Sequence, residues 1–104
     1  MDYKIIWSDS AIADLTEIVA YITRDNPEAA KRYGAGILEN VGLLSSFPHI
    51  GPWYPRRSKG PIREILYENH RIFYQVSESP KRVEIYRIYH AAQNDINLPD
   101  DAND

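Results

Sequence analysis

The sequence has no cysteine, and this absence excludes two kinds of small protein. Without thiols, neither a disulfide framework nor a thiolate zinc site can form. Long apolar runs are also missing, since no stretch of the chain approaches the roughly 20 apolar residues that span a bilayer. The first residues carry no signal-peptide pattern. We therefore expect a protein of a reducing compartment, the cytoplasm by default, that makes no membrane contact.

The composition that remains suits one compact domain. With 104 residues, 43% of them hydrophobic, the chain can bury one core and has no room for a second. The last ten residues contain four aspartates and no basic residue, which is typical of a chain end outside a core. We expect a single domain over residues 1–94 and a flexible acidic tail over residues 95–104.

Charge is distributed unevenly along the chain. The net charge is −3, yet residues 46–90 carry eight Lys and Arg against four Asp and Glu. This segment is therefore the one that attracts anions. The excess is small for a dedicated nucleic-acid binder, in which a pI above about 9 is expected. Composition alone does not predict a nucleic-acid-binding protein.

The first half of the chain predicts one strand and two helices. Residues 3–7 are apolar and rich in β-formers, which predicts a buried strand. Ser8 can cap a following helix, and Asn26 with Pro27 can start a second helix that ends before Pro48. Each helix has apolar residues at helical spacing: Ile12, Leu15, Ile18, Val19 and Ile22 in the first, and Ala30, Tyr33, Ile37, Val41 and Leu44 in the second. The short link between them predicts a helical hairpin.

The second half predicts a proline-rich loop and three strands. Residues 48–61 contain four prolines and form the loop, and the strands cover residues 62–68, 70–77 and 82–89. The last strand is apolar on both faces, so its orientation stays open. The fold class is α+β: a helical hairpin packs on one face of a four-stranded, mainly antiparallel sheet in the order β-α-α-β-β-β. We expect the other face to be partly open and to carry the function.

Specific residues along these elements resemble one known family. In the helices and the loop they are Ala11-x-x-Asp14-Leu15-x-x-Ile18-x-x-Tyr21-Ile22, Asn26-Pro27-x-Ala29-Ala30 and Leu44-x-x-Phe47-Pro48-x-x-Gly51. In the strands they are Ile62-Arg63-Glu64-Ile65, His70-Arg71-Ile72-Phe73-Tyr74-Gln75-Val76 and Ile85-Tyr86-Arg87-Ile88-Tyr89-His90-Ala91. This ordered set, from about residue 3 to about residue 94, resembles the RelE/ParE toxin superfamily, and its helical section resembles the ParE branch.

The resemblance implies a growth-inhibiting toxin that a small antitoxin from the same operon neutralises. ParE-type toxins are associated with poisoning of DNA gyrase, whereas RelE- and YoeB-type relatives cleave mRNA on the ribosome. A non-toxic relative that only binds its antitoxin is a third alternative. We expect the ParE-like activity, with the cognate antitoxin and DNA gyrase as partners. The alternative partners are the ribosome and mRNA.

Two residues are candidates for catalysis if the chain is RelE-like. The resemblance places Arg71 where such enzymes stabilise phosphorane charge, a role that suits the fixed fork of guanidinium donors. It places His90 where YoeB-like relatives carry a catalytic histidine with a near-neutral pKa. Ala91, Ala92 and Gln93 then depart from the tyrosine or basic residues of those relatives. The structural alternatives are an Arg71 paired with Glu64 or Glu68, and a His90 bonded at the strand end.

Basic residues elsewhere are candidates for binding. Arg56, Arg57, Lys59 and Arg63 lie beside Trp53 and Tyr54, a combination that can hold phosphates and stack bases. The alternatives for this patch are a rim for an acidic antitoxin tail or a solvated loop. Arg87 on the last strand is a further candidate for binding. His49 and His70 have no ligand spacing, so we expect no metal and no cofactor.

Overall fold

Two capped helices follow the first strand, as the sequence predicts. The computed structural model describes residues 2–55, 60–94, 96 and 98. Strand β1 spans Lys4–Trp7, helix α1 spans Asp9–Thr23 and helix α2 spans Pro27–Leu43. The Ser8 hydroxyl accepts the Ala11 N–H at 3.0 Å and donates to the Tyr86 carbonyl at 2.9 Å. The cap therefore also fixes the start of α1 against the last strand.

Four strands form one sheet beside the helical hairpin. Strand β2 spans Ile62–Tyr67, β3 spans His70–Glu78 and β4 spans Lys81–His90, within a residue or two of the predicted bounds. The order across the sheet is β1-β4-β3-β2. β1 lies parallel to β4, and the other two pairings are antiparallel. The predicted α+β class and element order are confirmed.

A β-bulge in β4 explains why this strand is apolar on both faces. Phe73 lies opposite Arg87 while Tyr74 lies opposite Ile85, so Tyr86 is an extra residue in the ladder. The extra residue shifts the alternation of side chains. As a result Ile85 and Ile88 both pack into the core beneath the helices. A strict period of two could not have placed both on one face.

The main core lies between the hairpin and the sheet. Its buried members come from both helices, β3 and β4: Ala11, Ile37, Val41, Leu44, Ile72, Tyr74, Val83, Ile85 and Ile88. Of the predicted stripe of α1, Leu15 and Ile18 pack against this core, but Ile12 is 50% exposed. Ala11 replaces Ile12 because it lies four residues before Leu15, on the same helix face, and its small side chain lets α1 approach the sheet.

The opposite face of the sheet is less open than the alternation in β3 predicted. Phe73, Ile62 and Tyr89 are buried there, and the partly buried Tyr54 packs against them. Ile96 and Leu98, which fall within the predicted tail, also contact this cluster. Residues 95, 97 and 99–104 lie outside the described residues, so the flexibility of the tail stays a prediction. Within the described ranges, no helix is long and apolar enough to cross a membrane.

Candidate functional site

Arg71 lies on the face of the sheet away from the helices, where it is held on several sides. Its Nε donates to Glu64 Oε2 at 2.5 Å, and one terminal nitrogen donates to the Gln93 carbonyl at 3.3 Å. Its guanidinium lies 5.3 Å from the Tyr54 ring and 5.0 Å from the Phe73 ring. The hydrogen bond to Glu64 raises the pKa of Arg71, while burial opposes this rise. The pairing with Glu64 is the structural alternative that the sequence predicted, and it engages Nε while the Gln93 carbonyl engages one terminal nitrogen.

His90 lies on the other face of the sheet from Arg71. In the β3–β4 ladder Arg71 is opposite Tyr89, and His90 is opposite His70. Successive side chains alternate across a strand, so the Arg71–Tyr89 pair and the His70–His90 pair point to opposite faces. The structure does not bring the two predicted catalytic residues to one surface. Their shared role in RNA cleavage stays a prediction.

His90 instead belongs to a cluster with His70 and Tyr33. The two imidazole centroids are 5.4 Å apart, and the Tyr33 hydroxyl lies 2.6 Å from His70 Nδ1. Burial lowers the pKa of His70, and the nearby His90 lowers it further. Sequence reasoning gave His70 no partner. Counting back from the turn after β3 would have paired it with Tyr89, and the bulge at Tyr86 moves the partner by one residue to His90.

Arg63 shapes the loop in front of β2. It donates to the carbonyls of His49 and Gly51 at 3.1 and 2.7 Å, and its guanidinium lies 3.8 Å from the Trp53 ring. On the core side of this loop, the buried Tyr74 hydroxyl donates to the Pro48 carbonyl and accepts the Gly51 N–H. Of the predicted basic patch, Arg56, Arg57 and Lys59 lie outside the described residues. For Arg63 the contacts found are those of a loop anchor.

Arg87 joins the last strand to the first helix. Its Nε and one terminal nitrogen donate to the two carboxylate oxygens of Asp14 at 2.7 and 3.0 Å. Asp14 also accepts the Ile88 N–H at 2.9 Å. The bidentate bond raises the pKa of Arg87, against an opposing effect of burial. A guanidinium used in this way has fewer donors left for a partner, and its binding role stays a prediction.

An apolar groove runs along the free edge of β2. A cavity of about 350 Å³ lies between the end of α2, residues 50–52 and β2. The side chains of Leu43, Ile50 and Leu66 line it and are 55%, 69% and 61% exposed. The loop residues Tyr54 and Pro52 bond to Ile62 and Glu64 of this edge. In an antiparallel edge strand, every second residue directs its backbone N–H and C=O away from the sheet. Leu66 therefore directs its N–H and C=O outward, as Ile62 and Glu64 do, but it lies beyond the loop residues that pair with those two.

The described residues contain no group of three or more side chains suited to hold a metal ion. Together these features give an ion pair between Arg87 of β4 and Asp14 of α1, a histidine cluster, and an apolar groove beside the free edge of β2.

The fold and the sequence both match known toxins. The family model for the ParE toxin of the type II toxin–antitoxin system parDE matches residues 5–95. The toxin RelE2 of Caulobacter vibrioides is 32% identical over 91 residues, which cover 86% of this chain and 97% of that protein. Y4kP of Sinorhizobium fredii, a protein named as a toxin, is 36% identical to this chain over 91 residues, which cover 86% of this chain and 90% of that protein.

Among solved structures, a chromosomal ParDE toxin–antitoxin system from P. aeruginosa gives a TM-score of 0.71 at 25% identity, over 85% of this chain and 95% of that one. The toxin–antitoxin complex RelBE2 of Mycobacterium tuberculosis gives a TM-score of 0.65 at 24% identity, over 86% of this chain and 99% of that one, and supports the fold alone. With a family model matched over residues 5–95, the chain belongs to the ParE toxins of type II toxin–antitoxin systems.

Proposed function

We propose that this chain inhibits growth by acting on DNA gyrase, and that a cognate antitoxin holds it inactive. The observation that carries the proposal is the arrangement of Arg71 and His90 on opposite faces of the sheet. Metal-free cleavage of RNA needs an acid–base group and a cation directed at one phosphate. Arg71 is instead bonded to Glu64 and to the Gln93 carbonyl.

The residues after β4 support the same proposal. Ala91 and Ala92 offer no donor, acid or base in their side chains, so this stretch supplies no second cation beside His90. A target recognised by surface contacts does not need such groups. The family match over residues 5–95 points in the same direction, since that family is named for ParE.

Cleavage of mRNA on the ribosome is the second candidate, supported by the RelE2 relative. The two candidates differ in their dependence on Arg71 and His90. If the chain cleaves RNA, loss of a preorganised donor or of the acid–base group costs about 100-fold or more in rate. If it acts on gyrase, conservative changes at these positions leave toxicity intact.

The experiment is inducible expression of the chain and of the variants Arg71→Lys and His90→Gln in bacteria. We expect all three to arrest growth, and translated mRNA to stay uncut. Growth rescued by either variant, together with in-frame mRNA cuts by the parent chain, would establish the nuclease. Normal growth at high levels of the folded parent chain would indicate the non-toxic relative.

We further propose that the antitoxin covers the apolar groove and the free edge of β2. Three exposed apolar side chains line this groove, and the backbone of Leu66 is directed outward beside it. An extended segment can add to such an edge by main-chain hydrogen bonds while its side chains enter the groove. An amphipathic helix would cover the exposed residues of the hairpin, among them Ile12 and Leu38. The solved structures with this fold include toxin–antitoxin complexes, which supports a partner of this kind.

A further inference from the structure

A second cavity, on the helix side of the sheet, belongs neither to the groove nor to the Arg71 surface. It has a volume of about 570 Å³ and lies between the end of α1, the start of α2 and the paired ends of β3 and β4. His70, His90 and Tyr33 form its polar wall together with Asn69. The polar atoms that reach this space determine what it can bind.

The protons on the two imidazoles follow from their hydrogen bonds. The Ala92 N–H donates to His90 Nδ1 at 3.1 Å, so this nitrogen is an acceptor and the neutral ring carries its proton on Nε2. The Asn69 N–H donates to the Tyr33 hydroxyl at 3.3 Å, and that hydroxyl lies 2.6 Å from His70 Nδ1. The same hydroxyl lies 3.4 Å from the Tyr67 carbonyl, a much longer contact. We assign the Tyr33 proton to the shorter contact with His70 Nδ1, which leaves the proton of the neutral His70 ring on Nε2.

This arrangement favours an anion over a metal ion. A metal ligand must offer a lone pair, but both Nε2 atoms carry protons and act as donors. No third ligand completes a metal set within the described residues. Arg24, whose guanidinium lies 5.9 Å from the Tyr21 ring, adds a cation to the same wall. Two imidazole donors and one guanidinium suit a carboxylate.

We propose that this cavity binds the carboxylate of an acidic side chain in a peptide segment of a partner protein. The site goes beyond the proposed function, because it does not depend on which target the toxin inhibits. A peptide suits the cavity because Ile18 and Ile22 line it and Tyr21, 67% exposed, lies at its wall. Such apolar surface accepts the residues on either side of an acidic one, whereas a free carboxylate metabolite would leave it uncovered.

Several charged and titratable groups surround the two imidazoles, and their signs differ. They come from α1, α2, β2 with its turn, and β4: Asp14, Glu17, Tyr21, Arg24, Tyr33, Tyr67, Glu68, Arg87 and Tyr89. Arg24 attracts a carboxylate to the cavity, while Glu17, on the wall of both this cavity and a neighbouring one, repels it. The change Glu17→Gln removes the repelling charge and should therefore strengthen binding. The change Arg24→Gln removes the attracting charge and should weaken binding.

Binding of a carboxylate should strengthen as the pH falls. In the free protein, burial and the neighbouring His90 keep the pKa of His70 below its ordinary value. A bound carboxylate favours the protonated imidazole and so raises this pKa. Since one pKa unit corresponds to a tenfold change, we expect affinity about tenfold higher near pH 5.5 than near pH 8.

The experiment is NMR titration of the full chain with two matched peptides, acetyl-Leu-Asp-Leu-amide and acetyl-Leu-Asn-Leu-amide. The chain has three histidines, and His49, bonded at 2.9 Å to Glu78 in another part of the protein, serves as an internal control. We expect the aspartate peptide alone to shift the ring signals of His70 and His90 saturably, and to leave those of His49 unchanged. His70→Gln should abolish the pH dependence, and His49→Gln should preserve it. His70 is partly buried, so circular dichroism of this variant checks that its fold is intact.

Each other outcome contradicts the proposal in a defined way. Equal shifts with the asparagine peptide would mean that the carboxylate is not recognised. Equal affinity for acetate would mean that the cavity does not recognise the peptide around the carboxylate. Tighter binding of inorganic phosphate would mean that the cavity is a phosphate site and not a carboxylate site. Selective broadening of both histidine signals by Ni²⁺, without any response to the aspartate peptide, would make this a metal site.

Discussion

Removing the carboxylate of Asp14 should destabilise the protein strongly. This carboxylate accepts two bonds from Arg87 and one from the Ile88 N–H, and so fixes α1 to β4. Asp14 and Arg87 side chains are 16% and 28% exposed, so they are largely shielded from water. Hydrogen bonds to charged groups contribute about 1.5–3 kcal/mol each, and breaking a fully buried pair costs about 3–5 kcal/mol. For this partly exposed pair we expect Asp14→Ala to cost about 2–3 kcal/mol, which lowers Tm by about 10 °C.

The measurement is urea unfolding followed by circular dichroism, with Glu17→Ala, an exposed change on the same helix, as the matched control. The control should change the free energy of unfolding by less than about 0.5 kcal/mol. In a double-mutant cycle, Arg87→Ala should add little to Asp14→Ala, because the two residues form one interaction. A loss below about 0.5 kcal/mol for Asp14→Ala would refute the reasoning, as would full additivity of the two changes.

Four further predictions concern two glycines of α2, His70 and the free edge of β2. Gly42→Ala should raise the free energy of unfolding by about 0.5–1 kcal/mol, because nothing lies within 4 Å of the added methyl group. Gly36→Ala should lower the free energy of unfolding by about 1–3 kcal/mol, because its methyl group would overlap the Tyr67 hydroxyl of β2. Urea unfolding measures both variants, and an equal change in stability for the two would contradict both predictions. The free energy of unfolding should fall as the pH is lowered from about 7, because His70 is protonated at a higher pH in the unfolded chain than in the folded protein. His70→Gln should flatten this pH profile. A profile that His70→Gln leaves unchanged would contradict the lowered pKa of His70. Leu66→Asn should weaken antitoxin binding by about tenfold or more in calorimetry, and a larger loss with Ile12→Asn would move the main contact to the hairpin.

The elements of the fold could be predicted because each has a local cause. Ser8 and Asn26 begin the helices by capping them, and periodic apolar residues orient α2 correctly. The placement of Ile12 failed because a helical stripe can be rotated by one residue when a small residue such as Ala11 lies beside it. The bulge at Tyr86 depends on how two strands pair, so the local sequence of β4 could not reveal it.

The site was harder to predict because it depends on distant contacts. Asp14 and Arg87 are 73 residues apart, and nothing in either local pattern links them. The family resemblance drew attention to Arg71 and His90 separately. Only the register of β3 against β4 shows that they lie on opposite faces. The sequence assigned His70 to no site and Tyr33 only to the apolar stripe of α2. Together with His90 they form the polar wall of the cavity between the end of α1 and the start of α2.

The most direct test of the central claim is a cleavage assay with purified DNA gyrase and supercoiled plasmid. The chain, refolded or released from its antitoxin, is added in increasing amounts, and linear DNA is measured after protein digestion. The account predicts that linear DNA accumulates with the parent chain and equally with His90→Gln. Unchanged plasmid at saturating toxin, alongside cleaved mRNA on translating ribosomes, would contradict it.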